Sequence, residues 1–319
     1  MILITSPNNS TGLRKHLEEL YHLIKKKRLK TDFLLIDEEG HVNTLQKIKH
    51  TEPDLIIFGG RNWIIRNQCI LNEIGSKKGI LFCSPPAQAE ISNEEINNLC
   101  IYLQWLDEKR IDYLFVGSYA LFRLFCRSDI IYLPAPFSTN RELEQIHYPL
   151  INAVSIFNDN ACHKNIINTI GGVALSQNVE RLVTNGSKME YFNLIRRFGL
   201  DKITDDIGFI PPENYLSELS KIKLMLHISF SEGFCYSVVE SFFNGTPALV
   251  SSAVSWLNIP ELTVKDPRDI DEIAHKIDHV MNLNEQKYRY LTYKGYKQAK
   301  KICNSNNEHI NRWLTNLSL

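Results

Sequence analysis

Short apolar runs alternate with longer amphipathic stretches along most of the chain. Ile2-Leu3-Ile4 leads through the polar residues 6–12 into 13–27, where Leu17, Leu20, Tyr21 and Ile24 fall at helical spacing. Phe33-Leu34-Leu35-Ile36 and Leu55-Ile56-Ile57-Phe58 predict the next two strands, the second ended by Gly59-Gly60. Ile80-Leu81-Phe82, Leu114-Phe115-Val116 and Ile130-Ile131-Tyr132-Leu133 predict three more, with a helix over 94–108 between the first two. After Pro134-Ala135-Pro136 the theme repeats, with strands at 153–157, 181–184, 207–209, 224–228 and 248–250 and helices at 165–175 and 189–198. Residues 270–281 and 286–302 read as helices with no strand among them.

Strands that are apolar on both faces and alternate with helices indicate a parallel sheet covered on both sides. The expected fold is therefore α/β, two Rossmann-like, doubly wound domains with a seam near 136–151. Residues 1–145 would form the first, 146–285 the second, and 286–319 a helical tail able to pack back on the N-terminal domain. Ligands of such sheets sit at the carboxyl ends of the strands, so a cleft faced by the two domains is the expected site.

A length of 319 residues suits two domains. With 44% hydrophobic and 23% charged residues the composition is that of an ordinary globular protein, which argues against disorder. Thirty-six basic and thirty-six acidic side chains cancel, so no global field draws the chain onto nucleic acid or an anionic membrane. No run of ~18 apolar residues predicts a spanning helix, and Met1-Ile2-Leu3-Ile4-Thr5-Ser6-Pro7 lacks the basic and apolar regions of a signal peptide. Seven scattered cysteines without a CxxC pair point to reduced thiols in the cytoplasm rather than a disulfide framework or a zinc site.

The segment richest in chemistry runs from Ser229 to Val250. A buried strand ends at Ser229, Gly233 frees the backbone for a tight turn, and a helix starts near Tyr236, so that its unsatisfied N–H groups face whatever lies above the strand. Such a helix start is suited to phosphate. Glu232 precedes the helix and Glu240 lies within it, with seven residues between them; Gly245 reads as the C-cap and Pro247 leads into the next strand. The same pattern also fits a routine crossover carrying two solvated glutamates.

The whole string, Glu232-Gly233-Phe234, Glu240 and Gly245-Thr246-Pro247, resembles the donor site of retaining GT-B glycosyltransferases of the family-4-like group, with its E-G-F-x5-E motif. The resemblance covers about residues 150–260. It implies two Rossmann-like domains, transfer of a glycosyl group from a nucleotide sugar to a hydroxyl with retention, no cofactor and no metal. Lys164 resembles the lysine that meets the donor diphosphate, although a surface lysine at a helix start is the plain alternative; a cation there is mildly disfavoured by the helix dipole. Gly208-Phe209-Ile210-Pro211 resembles the loop bordering the base. The resemblance thus assigns catalytic roles to Glu232 and Lys164 and donor contacts to Glu240, Gly233, Phe234, Cys235, Tyr236, Ser237, Phe209 and Ile210. UDP-sugar is the expected donor, with GDP- or ADP-sugar open.

Two departures stand out. The family's arginine, about five residues before the lysine, is missing from residues 157–163, leaving His163 or Arg181 as substitutes. Cys235 stands where the family often has glycine. In the first half, Ser10-Thr11-Gly12, Gly60 and Arg61, and Gln88 and Glu90 are candidates for the acceptor side. Ser10-Thr11-Gly12 fits a capped helix start equally well, and Gln88 or Glu90 would take the space of a histidine the family often has there. Lys25-Lys26-Lys27-Arg28 reads as a solvated helix end, with a phosphate or lipid partner as the alternative. His227 reads as a hydrogen-bonded core histidine, and Tyr102 and Trp105 as packing.

The acceptor would be a saccharide or small molecule. A hydroxymethylated DNA base, as in phage-type enzymes of this fold, is the lesser option because the chain is neutral. A non-catalytic relative that binds a nucleotide sugar or a partner protein is a separate alternative, suggested by the missing arginine. An epimerase or phosphorylase is a third, although no pyridoxal-lysine motif is evident.

Overall fold

The computed structural model describes residues 1–7, 11–36, 41–60, 62–138, 142–143, 146–157, 161–186 and 189–317. Twelve strands are seen among them: β1 (Ile2–Pro7), β2 (Thr31–Ile36), β3 (Leu55–Gly59), β4 (Lys77–Phe82), β5 (Tyr113–Val116), β6 (Ile130–Tyr132), β7 (Ala153–Ile156), β8 (Arg181–Thr184), β9 (Thr204–Asp206), β10 (Leu224–His227), β11 (Ala248–Ser251) and β12 (Thr263–Val264). The helices are α1 (Thr11–Lys26), α2 (His41–Thr51), α3 (Asn62–Arg66), α4 (Ile70–Glu73), α5 (Pro86–Ile91), α6 (Asn93–Asp107), α7 (Tyr119–Phe122), α8 (Ile166–Leu175), α9 (Met189–Arg197), α10 (Pro212–Ser220), α11 (Tyr236–Phe243), α12 (Ile270–Met281) and α13 (Glu285–Asn316).

The strands form two six-stranded sheets, ordered β2-β1-β3-β4-β5-β6 and β12-β11-β10-β7-β8-β9. Every pairing is parallel. Burial explains why: every residue of β3, β7, β10 and β11 is buried, which only helices on both faces can achieve.

Two compact units result, one of Met1–Ser138 with the chain from Cys303 onward, the other of Thr139–Ile302. In the first, α1 buries Leu13, Leu17, Leu20 and Ile24 in one cluster with Ile4, Ile57, Ile310 and Leu314. The end of α13 is fixed there by polar bonds too. Asn306 donates to the Ala135 carbonyl at 2.9 Å, and Asn307 brackets Phe137, donating to its carbonyl at 2.8 Å and accepting from its N–H at 3.2 Å. Trp313 meets Phe115 edge-on, with centroids 5.4 Å apart. Tyr102 and Trp105 pack together in the core of this unit, centroids 5.8 Å apart.

The second unit is pinned by one buried ammonium. Lys223, 2% exposed, donates to Asn152 Oδ1 at 2.8 Å, to the Met281 carbonyl at 2.9 Å and to the Tyr148 hydroxyl at 3.3 Å. Met281 ends α12, where the helix dipole favours a cation. Tyr288 of α13 closes the arrangement by donating to the Lys223 carbonyl at 3.0 Å. These bonds tie the segment around 148–152 and the first half of α13 to the second unit. The two compact units divide after Ser138 and after Ile302.

One predicted strand lies elsewhere. The apolar pair Ile207 and Phe209 suggested a strand at 207–209, but β9 is Thr204–Asp206 and the chain leaves the sheet after it. The Asp206 carboxylate accepts from the Gly186 N–H at 2.7 Å and the Gly208 N–H at 3.2 Å. Gly208 turns at a φ of 68°, which a side chain would resist.

Helix α8 lies against α12 so closely that a Cβ on Gly172 would stand 2.2 Å from Ile273 Cγ2. Ile273 is fully buried and has nowhere to go. Gly172→Ala is therefore expected to destabilise the protein by about 1–3 kcal/mol through overpacking. Calorimetric unfolding should register a fall of several degrees, while Gly12→Ala, where nothing lies within 4 Å, should leave the melting temperature unchanged or raise it.

Candidate functional site

In the second sheet β7 and β10 are neighbours, Leu224 facing Val154 and Met225 facing Ser155. From β7 the chain proceeds to β8 on one side; from β10 it proceeds to β11 on the other. This is the topological switch point, where the two outgoing connections part and leave a crevice at the carboxyl ends. Lys164 lies on the connection leaving β7, in the 3₁₀ turn Cys162–Lys164. Glu232 lies on the connection leaving β10. The Phe230 N–H donates to the His163 carbonyl at 2.7 Å, which knits the two connections together.

The side chains meet as a result. Lys164 Nζ donates to Glu232 Oε1 at 2.7 Å, and His227 Nε2, at the end of β10, lies 2.7 Å from the same oxygen. Exposures of 13% for Lys164, 7% for Glu232 and 3% for His227 put the cluster out of bulk water. Burial by itself would raise the Glu232 pKa, but His227 and Lys164 outweigh it and hold the carboxylate ionised well below its usual range. For His227, burial pushes downward, yet the Cys235 sulfur and the Glu232 carboxylate overcome it and lift the imidazole to about 9. With Nε2 donating to Glu232, the ring's Nδ1 is buried and without a hydrogen-bond partner among the described residues.

Both connections enter their helices through a left-handed residue. Asn165 (φ 54°) precedes α8, its side chain bonded to the Pro267 carbonyl, and Cys235 (φ 63°, ψ 74°) precedes α11. A non-glycine residue in this region carries strain of about 1–2 kcal/mol, and such strain gathers at functional turns. The turn is over-determined: Trp256 Nε1 donates to the Phe234 carbonyl at 2.8 Å, and Phe234 packs edge-on against Tyr236 with centroids 5.0 Å apart. The first backbone bond of α11 runs from the Val239 N–H to the Cys235 carbonyl. The amides of Ser237 and Val238 thus have no acceptor inside the helix, the arrangement that suits an anion.

Glu240 lies within α11 and is half-buried. Across from it Tyr215 of α10 holds its phenolic proton firmly, first through burial and then through the nearby Glu240 and Cys235. After β9 the backbone exposes Phe209, 80% accessible, ahead of a half-buried Ile210. Gly233 itself is exposed at the turn.

Of the expected site residues, Lys164 and Glu232 are brought into contact, and Cys235, Tyr236 and Ser237 gather at the head of α11. Arg181 cannot replace the absent arginine: it opens β8 at the amino end of the sheet and is bonded to Asp205 Oδ2 at 2.5 Å. The first-unit candidates are more scattered. Ser10 and Arg61 lie outside the described residues; Thr11 begins α1 and Gly12 is exposed in its first turn. Gly60 is a packing position, its N–H bonded to the Leu81 carbonyl at 3.0 Å and a Cβ excluded by the same oxygen. Gln88 is half-buried and Glu90 exposed on α5.

Two histidines acquire a place that periodicity did not reveal. His227 is indeed hydrogen-bonded in the core, but its partner is the central carboxylate; its position five residues before Glu232 in an apolar strand was the available signal. His16, 3% exposed on α1, has Nδ1 3.4 Å from Cys83 Sγ just beyond β4, and burial lowers its pKa to about 3, so the ring is neutral. As for cations, donor atoms of His227, Glu232 and Cys235 lie within 4.8 Å of one another. A metal ion there would have to share the Glu232 carboxylate with the Lys164 ammonium and take a proton from His227.

Residues 146–298 match the family described as glycosyl transferases group 1. No curated protein matches the chain in sequence. Among solved structures, HepE of Anabaena in complex with UDP and glucose is similar with a TM-score of 0.76 at 14% identity, over 99% of each chain. A sucrose-phosphate synthase of Thermosynechococcus elongatus gives 0.76 at 13% identity, over 99% of this chain and 98% of that one. The lipopolysaccharide outer core galactosyltransferase WaaB, in its apo form, gives 0.60 at 14% identity, over 98% and 100%. The chain therefore has the two-sheet GT-B fold, and the match of its second unit to glycosyl transferases supports sugar transfer from a nucleotide sugar.

Proposed function

We propose that this protein is a retaining glycosyltransferase that moves a sugar from a nucleotide-sugar donor to a hydroxyl acceptor. The observation carrying this reading is the Lys164–Glu232 contact at the switch point, beside the strained entry to α11. The UDP and glucose bound to HepE favour a UDP-sugar as donor, with GDP- and ADP-sugars as the other choices. A saccharide or small molecule would be the acceptor and the cytoplasm the setting.

In this reading Lys164 and the first amides of α11 receive the charge of the departing diphosphate, which is stabilisation aimed at the transition state. Glu240 holds ribose hydroxyls, while Phe209 and Ile210 border the base. Glu232 holds sugar hydroxyls and steadies the cationic ring. The anomeric C–O bond to the diphosphate breaks as the acceptor oxygen adds on the same face, and the leaving phosphate takes the acceptor's proton. Lys164 must then divide its ammonium between Glu232 and phosphate, so donor binding loosens a bond made in the free protein.

The pairing of Arg181 with Asp205 favours a second reading, in which the protein binds a nucleotide sugar without turnover. Transfer to a DNA base is a further acceptor option, marked by a steep loss of DNA binding with salt.

Thermal-shift measurements with UDP, GDP, ADP, TDP and their sugar conjugates should show stabilisation by one nucleotide, about 2.7 kcal/mol at ~100 times its Kd. Glu240→Gln should reduce the shift. Silence from every nucleotide would overturn both the transferase and the binding reading. With the donor known, Lys164→Ala should lower kcat for transfer or donor hydrolysis by about 10²–10³-fold, and NMR of the product should find the donor's anomeric configuration. Undiminished turnover in Lys164→Ala would remove Lys164 from the mechanism.

The charges also set a pH dependence. Glu232, held low, adds stability above its ordinary pKa of 4.5 and loses it as the pH falls through its folded value. His227, raised from 6.5 to about 9, adds stability in full below pH 6.5 and loses it progressively as the pH rises through 9. Melting temperatures recorded from pH 6 to 10 should therefore decline more steeply for wild type than for His227→Gln. Parallel profiles would refute the assigned charge state.

A further inference from the structure

Helix α13 carries a feature that nucleotide-sugar chemistry does not use. Between Glu285 and Glu308 it has no acidic residue, while residues 287–301 include Lys287, Arg289, Lys294, Lys297, Lys300 and Lys301. In a chain with equal numbers of acids and bases this is a local excess, and it is patterned. Tyr288, Leu291, Thr292, Gly295, Tyr296, Ala299 and Cys303 are buried along one face. On the other, Lys287, Tyr290, Lys294, Lys297 and Lys301 recur at intervals of three and four, with Tyr293 alongside. All but the half-buried Lys294 are exposed, Tyr290 at 64% and Tyr293 at 43%.

The charge on this stripe is not neutralised. Arg289 pairs with Glu285, and Lys300 bonds the Tyr296 hydroxyl at 3.1 Å and has Glu142 nearby. Among the described residues no carboxylate pairs with Lys287, Lys294, Lys297 or Lys301. The lysines instead lie over tyrosine rings one helical turn back: Lys294 over Tyr290 at 5.6 Å and Lys297 over Tyr293 at 4.7 Å.

We propose that this face of α13 docks on the surface of an anionic lipid bilayer. A row of lysines along ~21 Å of helix meets a negative plane with several charges at once. Tyrosine, with an apolar ring and a polar tip, is suited to the headgroup layer. Single-stranded nucleic acid also seeks basic and aromatic surfaces, but it stacks its bases on open ring faces, and here a lysine of the same helix already lies over one face of Tyr290 and of Tyr293. No helix among the described residues is long and apolar enough to cross a membrane, so the association is peripheral. The surface lies outside the donor site, and the inference does not depend on the proposed reaction.

Co-sedimentation of the full chain with vesicles tests it. Mixed phosphatidylcholine–phosphatidylserine vesicles should bind the protein, pure phosphatidylcholine vesicles should not, and about 0.5 M salt should release it. Replacing Lys287, Lys294, Lys297 and Lys301 together by Gln should weaken partitioning by about fivefold per lysine, on the order of a hundredfold or more in all. A control of equal charge at exposed lysines away from both basic runs, Lys47, Lys77, Lys202 and Lys265 to Gln, should bind like wild type. Unchanged circular dichroism and melting temperature establish that both variants are folded. Failure of wild type to bind anionic vesicles, or equal loss in the two variants, would overturn the proposal. So would stripe-dependent binding of a single-stranded oligonucleotide in place of vesicles.

Discussion

A carboxylate taken out of water costs several kcal/mol unless positive partners and hydrogen bonds surround it, and the second unit is organised around meeting that demand at Glu232. Two cations converge on one oxygen, Lys164 from the connection after β7 and His227 from the end of β10. Neither is tolerable alone: a buried lysine facing an imidazolium without the carboxylate would lose its charge or open the turn. The cluster therefore stands or falls as one, and the backbone bond between Phe230 and His163 holds its two halves in register.

The same unit balances a second buried charge at the opposite end of the same strand. Lys223, just ahead of β10, is satisfied by carbonyl, amide and hydroxyl oxygens and by the end of a helix rather than by a carboxylate. One strand thus runs from a structural cation at its start to a chemically loaded anion beyond its end. Neutral acceptors around Lys223 make a fixed joint with nothing to exchange. The ionised partners around Glu232 can be traded for a ligand's phosphate or hydroxyls.

Much of this was legible in the chain. Apolar runs such as Leu55–Phe58 and Leu224–Ile228 identify buried parallel strands, because burial on both faces leaves no polar alternation. Gly233 ahead of Tyr236 marked a tight turn into a helix, and the resemblance of Glu232-Gly233-Phe234 with Glu240 to a glycosyltransferase donor site pointed to the chemistry expected there. What escaped notice depends on contacts between distant segments. His227 looks like any core histidine until β7 brings Lys164 to the other side of its partner. Ile207 and Phe209 read as strand because apolarity does not record where a carboxylate such as Asp206 will close a turn. That Tyr215 would lie near Glu240 depends on the packing of α10 against α11, which no local pattern encodes. The anchor at Lys223 was equally hidden, since it joins residues 148, 152, 281 and 288, which lie far apart in the chain.

Helix α13 gives its first half to one unit and its end, from Cys303, to the other. The first unit's core includes Ile310 and Leu314, packed with Leu13, Leu17 and Ile24 of α1. During synthesis that core must wait: its sheet leaves the ribosome early, but Ile310 and Leu314, which pack against α1, follow only after the second unit's chain. At about 5–20 residues per second, the delay is on the order of ten seconds or more. Through that interval the apolar face of α1 lacks two of its packing partners, Ile310 and Leu314, so this core closes only after the second unit's chain has been made.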